Sequence, residues 1–223
     1  MIKSRSFNGP LLFLVSIVWL SCAYFNTYYN AEKYFNDADK LRLEKEGKSI
    51  PLSALDKYGK TIQKCQKVLK EYPESELRIN AILLMSKARY YRREYDDALM
   101  DLRIVNEKGD ADQVDEAQYW IALCKWKKGT IQPAIDELTL LIKNTDIQDL
   151  QAMCHLSLAE IAEELKDEES ILYHLEIGAD LMRDRAQRGV IYGKLAEFAF
   201  QNENYEVAIT TYNNCLLYTS DAA

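Results

Sequence analysis

Two histidines and five cysteines are the side chains of this sequence best able to bind a metal or act as nucleophiles. Their spacing limits what they can do. His155 and His174 stand nineteen residues apart, unlike the HExxH spacing that sets two imidazoles on one face of a helix. Cys154 and His155 are adjacent, so on a helix they diverge by about 100° and do not face one site. There is no CxxC pair, no GxSxG elbow and no phosphate-cradling glycine loop. Acidic pairs abound, and on regular helical surfaces they are expected to be exposed and unshifted, a poor setting for a general acid. No enzymatic activity, metal or cofactor is expected.

Cys22 belongs to a different chemistry. It comes after a basic N-terminus (Lys3, Arg5) and an uncharged run from Gly9 to Ser21 centred on Leu11-Leu12-Phe13-Leu14-Val15, the layout of a secretory signal peptide. The run is about a dozen residues, whereas a spanning helix needs about 20. The order Trp19-Leu20-Ser21-Cys22 resembles the lipobox of bacterial lipoproteins, with Trp19 where the family has Leu. That resemblance implies removal of residues 1–21 and lipidation of Cys22 as the mature N-terminus. Ala23 rather than Asp comes next, which in the enterobacterial sorting scheme implies outer-membrane delivery.

The far end also stands apart. Residues 215–223 can be back-translated to a sequence that resembles the mosaic-end adapter of transposase-based sequencing libraries, so the native protein is expected to continue differently after Asn214; the alternative is an ordinary helix end, which Leu216 and Leu217 would fit. Between these ends the body carries 26 bases against 34 acids, a formal charge of −8. An acidic module of this kind lacks the basic excess that nucleic-acid binding requires. Of the body's cysteines, Cys65, Cys124 and Cys154 lie in helical patterns and read either as small buried apolar residues or as containing one structural bridge.

The elements that must position any site are helices, because apolar residues recur at three- and four-residue intervals from Tyr24 onward. Self-similarity is visible in Tyr95-Asp-Asp-Ala98-Leu-Met-Asp-Leu102, Ile131-Gln-Pro-Ala134-Ile-Asp-Glu-Leu138 and Tyr205-Glu-Val-Ala208-Ile-Thr-Thr-Tyr212. A weaker copy reads Asp167-Glu-Glu-Ser170-Ile-Leu-Tyr-His174. The small residues at 98, 134, 170 and 208 give steps of 36, 36 and 38, a period that marks a solenoid of helical hairpins. Twelve places earlier stand Ser86, Ala122, Leu158 and Ala196, of which Leu158 breaks the pattern. Thr61 holds the similar position before Pro73.

This pattern resembles the tetratricopeptide repeat. The resemblance implies an all-α, right-handed superhelical solenoid of antiparallel helix pairs, about five in number, over residues 25–75, 76–111, 112–147, 148–185 and 186–214. It also implies a concave groove lined by first helices, which places Asn80, Lys87, Tyr90, Glu116, Tyr119, Trp126, His155, Lys194 and Phe200 on the binding face. Tyr119 and Trp126 read equally as packing between repeats. A basic ridge is expected from Arg89, Arg92 and Arg93 in one repeat and Lys125, Lys127 and Lys128 in the next. These cations either complement helix C-termini or contact an acidic partner or lipid headgroup.

Lipobox, size and repeats together resemble the lipoprotein family that pairs with the outer-membrane β-barrel insertase. The function this implies is a lipid-anchored scaffold binding other envelope proteins on the periplasmic face of the bacterial outer membrane, with no nucleic-acid partner. The alternative is a periplasmic carrier that captures a peptide or glycan on Tyr119, Trp126 and Phe200.

Overall fold

A computed structural model describes residues 9–45 and 49–219, with side chains described over 25–45 and 49–215. The expected signal segment and the lipidation residue Cys22 lie outside the described side chains. Ten helices and no strands are found among the described residues. They follow one another as α1 (Gly9–Leu43), α2 (Leu52–Glu71), α3 (Arg78–Tyr91), α4 (Tyr95–Lys108), α5 (Ala111–Lys127), α6 (Ile131–Asn144), α7 (Gln148–Leu165), α8 (Glu168–Leu181), α9 (Arg185–Gln201) and α10 (Tyr205–Thr219). The chain is all-α, and α1 to α4 and α5 to α10 form two compact units.

Local chemistry sets the helix ends. Asp110 caps α5 by accepting from the Gln113 amide at 2.9 Å, while the Gln113 side chain accepts from the Asp110 amide at 3.0 Å, a reciprocal capping box. Asp184 caps α9 through the Gln187 amide at 2.7 Å. Pro51 precedes α2 and Pro133 sits in the first turn of α6, where a missing backbone donor costs little. Pro73 lies just past α2 and stops it.

Each of the last four hairpins turns in the same way. Arg93, Gly129, Lys166 and Glu203 all have positive φ, at 63°, 90°, 60° and 60°. The residue after each donates its amide to the carbonyl five places back, in the pairs Glu94 to Arg89, Thr130 to Lys125, Asp167 to Ala162 and Asn204 to Ala199. This left-handed closure satisfies carbonyls that the helix end would leave open. The turn residues step by 36, 37 and 37 along the chain.

Those turns correct the repeat register in the fourth hairpin. Asp167 is not the first residue of its second helix but the cap before it, accepting from the Ser170 amide at 3.2 Å. The buried position equivalent to Ala98, Ala134 and Ala208 is therefore Ile171, at 2% exposure, and not Ser170. Twelve residues earlier stands Ala159 rather than Leu158, and it is 1% exposed. The four first-helix positions are then Ser86, Ala122, Ala159 and Ala196, all small and all buried. Hairpin helices approach closely where one presents a short side chain, so a bulkier residue at these positions would overpack the crossing by about 1–3 kcal/mol.

The first unit's core joins Ala31, Phe35 and Ala38 of α1 to Ala54, Tyr58, Ile62, Cys65 and Val68 of α2 and to Ala81, Leu84, Met85 and Ala88 of α3. Tyr58 stacks on Tyr91 with ring centroids 5.0 Å apart and meets Phe35 edge-on at 5.5 Å. Its buried hydroxyl donates to Asp39 at 2.8 Å, so the ring enters the core without stranding a polar group. Thr61 is fully buried and donates to the Lys57 carbonyl at 3.1 Å. In the second unit, Ala152, Ala159 and Ala162 of α7 pack with Ile171, Leu175 and Ala179 of α8 and with Ile191, Tyr192 and Leu195 of α9. Cys65, Cys124 and Cys154 are buried and unbridged, and burial pushes each thiol up to about 12. They act as small apolar residues.

Candidate functional site

The nine expected groove residues occupy different environments. Asn80, Lys87 and Tyr90 lie on α3 in the first unit and are half-buried. The Lys87 ammonium sits 5.4 Å from the centre of the Phe35 ring, and the Tyr90 ring contacts those of Tyr91 and Tyr95. In the second unit, Lys194 and Phe200 are exposed on α9, and Phe200 meets Tyr205 of α10 at 5.8 Å. Glu116 is half-buried and accepts from the Trp120 indole at 3.4 Å.

Tyr119 and Trp126 are at 6% and 4% exposure. They occupy the packed position that the sequence left open beside the groove reading. The Tyr119 hydroxyl lies 3.0 Å from that of Ser157, and the Trp126 indole donates to Glu164 at 2.9 Å. Both partners lie on α7, so the two aromatic residues join the first helices of successive hairpins. Their faces are covered and offer no platform for a ligand ring.

Four of the six basic residues have neighbours of opposite charge within their own units. Arg89 lies 2.5 Å from Asp101 across the α3–α4 hairpin, with both side chains largely shielded from water. Arg92 pairs with Glu94 at 2.7 Å and donates to the Leu55 carbonyl at 2.9 Å, which ties α3 to α2. Lys125 pairs with Glu137 across the α5–α6 hairpin, matching the Arg89–Asp101 link one repeat earlier. Lys127 lies over the Trp126 ring and 3.6 Å from Glu164. Arg93 is exposed and forms the left-handed turn, and Lys128 is the exposed cap of α5. Four of the six thus make links inside the fold. Such links can coexist with a docking role for their exposed atoms.

Asp101 corrects the expectation that carboxylates are exposed and unshifted. It is 7% exposed, and burial pushes its carboxyl up to about 6 against the pull of Arg89. Its position opposite Arg89 makes it a structural acid of the α3–α4 hairpin.

The two histidines meet, although their sequence spacing gave no reason to pair them. Hairpin packing of α8 against α7 places His174 Nδ1 2.9 Å from His155 Nδ1, with ring centroids 5.1 Å apart. His155 is 7% exposed and His174 is half-buried beside the exposed Tyr173 ring. Burial first, and the neighbouring His174 second, bring the His155 imidazole down to about 4; burial also lowers His174. No cluster of three or more metal-ligating side chains occurs among the described residues.

The first unit carries a cavity of about 490 Å³ lined by Phe25, Asn26, Tyr28, Tyr29 and Glu32 of α1 and by Leu77. Phe25 and Tyr29 remain more than half exposed. No helix among the described residues is long and apolar enough to cross a membrane.

No protein-family model and no curated protein sequence matches the chain. Solved structures share its fold. BtubC (BKLC) from P. vanneervenii matches with a TM-score of 0.58 at 12% identity, over 90% of this chain and 92% of that one. The apo form of RapI matches with a TM-score of 0.54 at 19% identity, over 87% and 71%. MamA matches with a TM-score of 0.52 at 16% identity, over 75% and 91%. These neighbours are tetratricopeptide-like helical repeat proteins, and this chain has that fold.

Proposed function

We propose that the protein is a lipid-anchored helical-repeat scaffold that binds other envelope proteins on the periplasmic face of the bacterial outer membrane. The observation that carries the binding role is the use of the buried polar and aromatic groups. Tyr119, Trp126, Arg89 and Lys125 join one helix to another, and the faces left outside present large apolar side chains such as Phe200, Tyr205 and Ile209. A stack of hairpins stiffened in this way offers surface and geometry for a protein partner.

Anchoring rests on the order of residues around Cys22 and on the aromatic residues just after it. Phe25 and Tyr29 are exposed within seven residues of the acceptor thiol. Tyrosine and phenylalanine suit the boundary between headgroups and hydrocarbon, and two or three acyl chains hold a protein firmly at about 0.8 kcal/mol per buried methylene. No flexible Ser/Gly/Pro linker separates Cys22 from the first repeat.

Mild-detergent purification of the full chain from its native membrane tests this reading. Stoichiometric co-purification of a β-barrel envelope protein supports it. A solitary protein carrying a small molecule overturns it. Cys22→Ala should release a folded protein into the soluble fraction, and continued membrane retention would show that something other than lipid holds it.

A further inference from the structure

We propose that His155 and His174 form a two-imidazole chelate for a divalent copper or nickel ion on the α7–α8 hairpin. The inference is independent of the scaffold reading. Its basis is the convergence of two Nδ1 atoms at 2.9 Å. Metal–imidazole bonds are about 2.0–2.1 Å, so two nitrogens at 90° around one ion stand about 2.8–3.0 Å apart, whereas tetrahedral ligands stand about 3.3 Å apart. The observed separation fits the right-angled pair. Square-planar or tetragonal nitrogen sites select copper(II) or nickel(II).

The fold holds both rings in place. His155 is buried on α7, where neighbouring atoms restrict its rotation. His174 stands one turn before Gly178 on α8, and a Cβ at Gly178 would meet the Leu156 side chain at 3.0 Å. Glycine there permits the close approach of α8 to α7 that sets the nitrogen separation. Tyr173 packs against both imidazoles, at 6.4 Å from His155 and 5.0 Å from His174.

Without an ion the contact is a hydrogen bond in which one ring donates its Nδ1 proton to the lone pair of the other. Chelation replaces that proton with the metal, and the donor ring carries its proton on Nε2 instead. The exchange is a tautomer shift with no net proton released by the pair. Asp167, whose charge acts on His174, already binds the Ser170 amide and hydroxyl. Water completes the coordination.

Titrating the purified full chain with copper(II) sulfate, and separately with nickel(II) chloride, tests the site. The expected result is one ion per chain and a tetragonal copper resonance with hyperfine structure from two equivalent nitrogens. His174→Asn, at the half-buried position, should remove the two-nitrogen signal while far-ultraviolet dichroism stays unchanged. His155→Asn should do the same. Should either variant fail to fold, a nickel-dependent rise in the melting temperature of the unmutated chain, reversed by EDTA, supplies the second measurement. A two-nitrogen signal that survives in His174→Asn overturns the proposal. So does an unmutated chain with neither the signal nor the nickel-dependent rise.

Discussion

Trp126 on α5 donates its indole N–H to Glu164 on α7 at 2.9 Å, with the ring itself 4% exposed. The same two helices are joined by Tyr119 and Ser157, and both links span 38 residues. Trp126 therefore stabilises the stacking of two hairpins. Trp126→Ala should lower unfolding stability by about 3–5 kcal/mol through lost burial and a residual cavity. Trp126→Phe keeps most of the ring and loses the hydrogen bond, at a cost of about 1 kcal/mol. Urea unfolding measures both. A groove platform would instead lose ligand capture with stability unchanged.

Arg89 and Asp101 provide a second contrast. Removing one partner leaves a shielded charge without compensation, so Arg89→Met should destabilise by about 3 kcal/mol. Asp101→Leu removes the shielded carboxylate and leaves the guanidinium unpaired at that site. The double variant Arg89→Met, Asp101→Leu should recover most of the loss, because a well-packed apolar pair often matches a buried ion pair in stability. A double-mutant cycle by chemical denaturation gives the coupling directly. Additive losses would show that the two residues do not act as a pair.

Repeat architecture was legible in the sequence because a small side chain at each helix crossing leaves a periodic trace. Ala98, Ala134 and Ala208 carried that trace, and all three are buried in the structure. The fourth hairpin was misread by one residue because Ser170 is small for a different reason. It stands beside Asp167, which caps α8 through the Ser170 amide and accepts from its hydroxyl at 2.6 Å. Only the turn settles the register, and just one of its four positive-φ positions is a glycine, Gly129. Arg93, Lys166 and Glu203 give no compositional sign of that conformation. The histidine pair was equally hidden, because it arises from how two helices pack and not from a spacing along one of them. Burial of Tyr119 and Trp126 depends on the angle between stacked hairpins, where a shift of one residue exchanges inside for outside.

The depressed His155 imidazole gives stability a pH dependence of known sign. Its folded-state value near 4 lies below the ordinary 6.5, so the unfolded chain takes up the proton first as pH falls. Its contribution is fully present above about pH 6.5 and is lost between there and about pH 4, on the order of 3 kcal/mol in all. His174 is shifted in the same direction. Asp101, pushed up to about 6, works in the opposite sense over part of that window. Comparing urea midpoints of the unmutated chain and His155→Asn from pH 7.5 to 4 isolates the histidine. The gap between the two should narrow as pH falls, and a constant gap would rule out the shifted imidazole as its source.

The left-handed turns predict opposite effects from opposite substitutions. A side chain in this backbone conformation costs about 1–2 kcal/mol, whereas glycine adopts it freely but gains about 0.5–1 kcal/mol more flexibility in the unfolded chain. Replacing Lys166 or Glu203 with glycine should therefore raise stability by up to about 1 kcal/mol, provided no side-chain contact is lost. Gly129→Ala should lower it by about 1 kcal/mol, and since no atom lies within 4 Å of the added Cβ the loss comes from the backbone alone. Arg93→Gly relieves the same strain but removes a charge from the expected ridge. Thermal unfolding measures the stability of all four variants, and partner capture by Arg93→Gly tests the ridge separately. If Lys166→Gly and Gly129→Ala shift stability in the same direction, the turn backbone is not what limits these hairpins. If Arg93→Gly gains stability and loses capture, that arginine serves the partner at the expense of the fold.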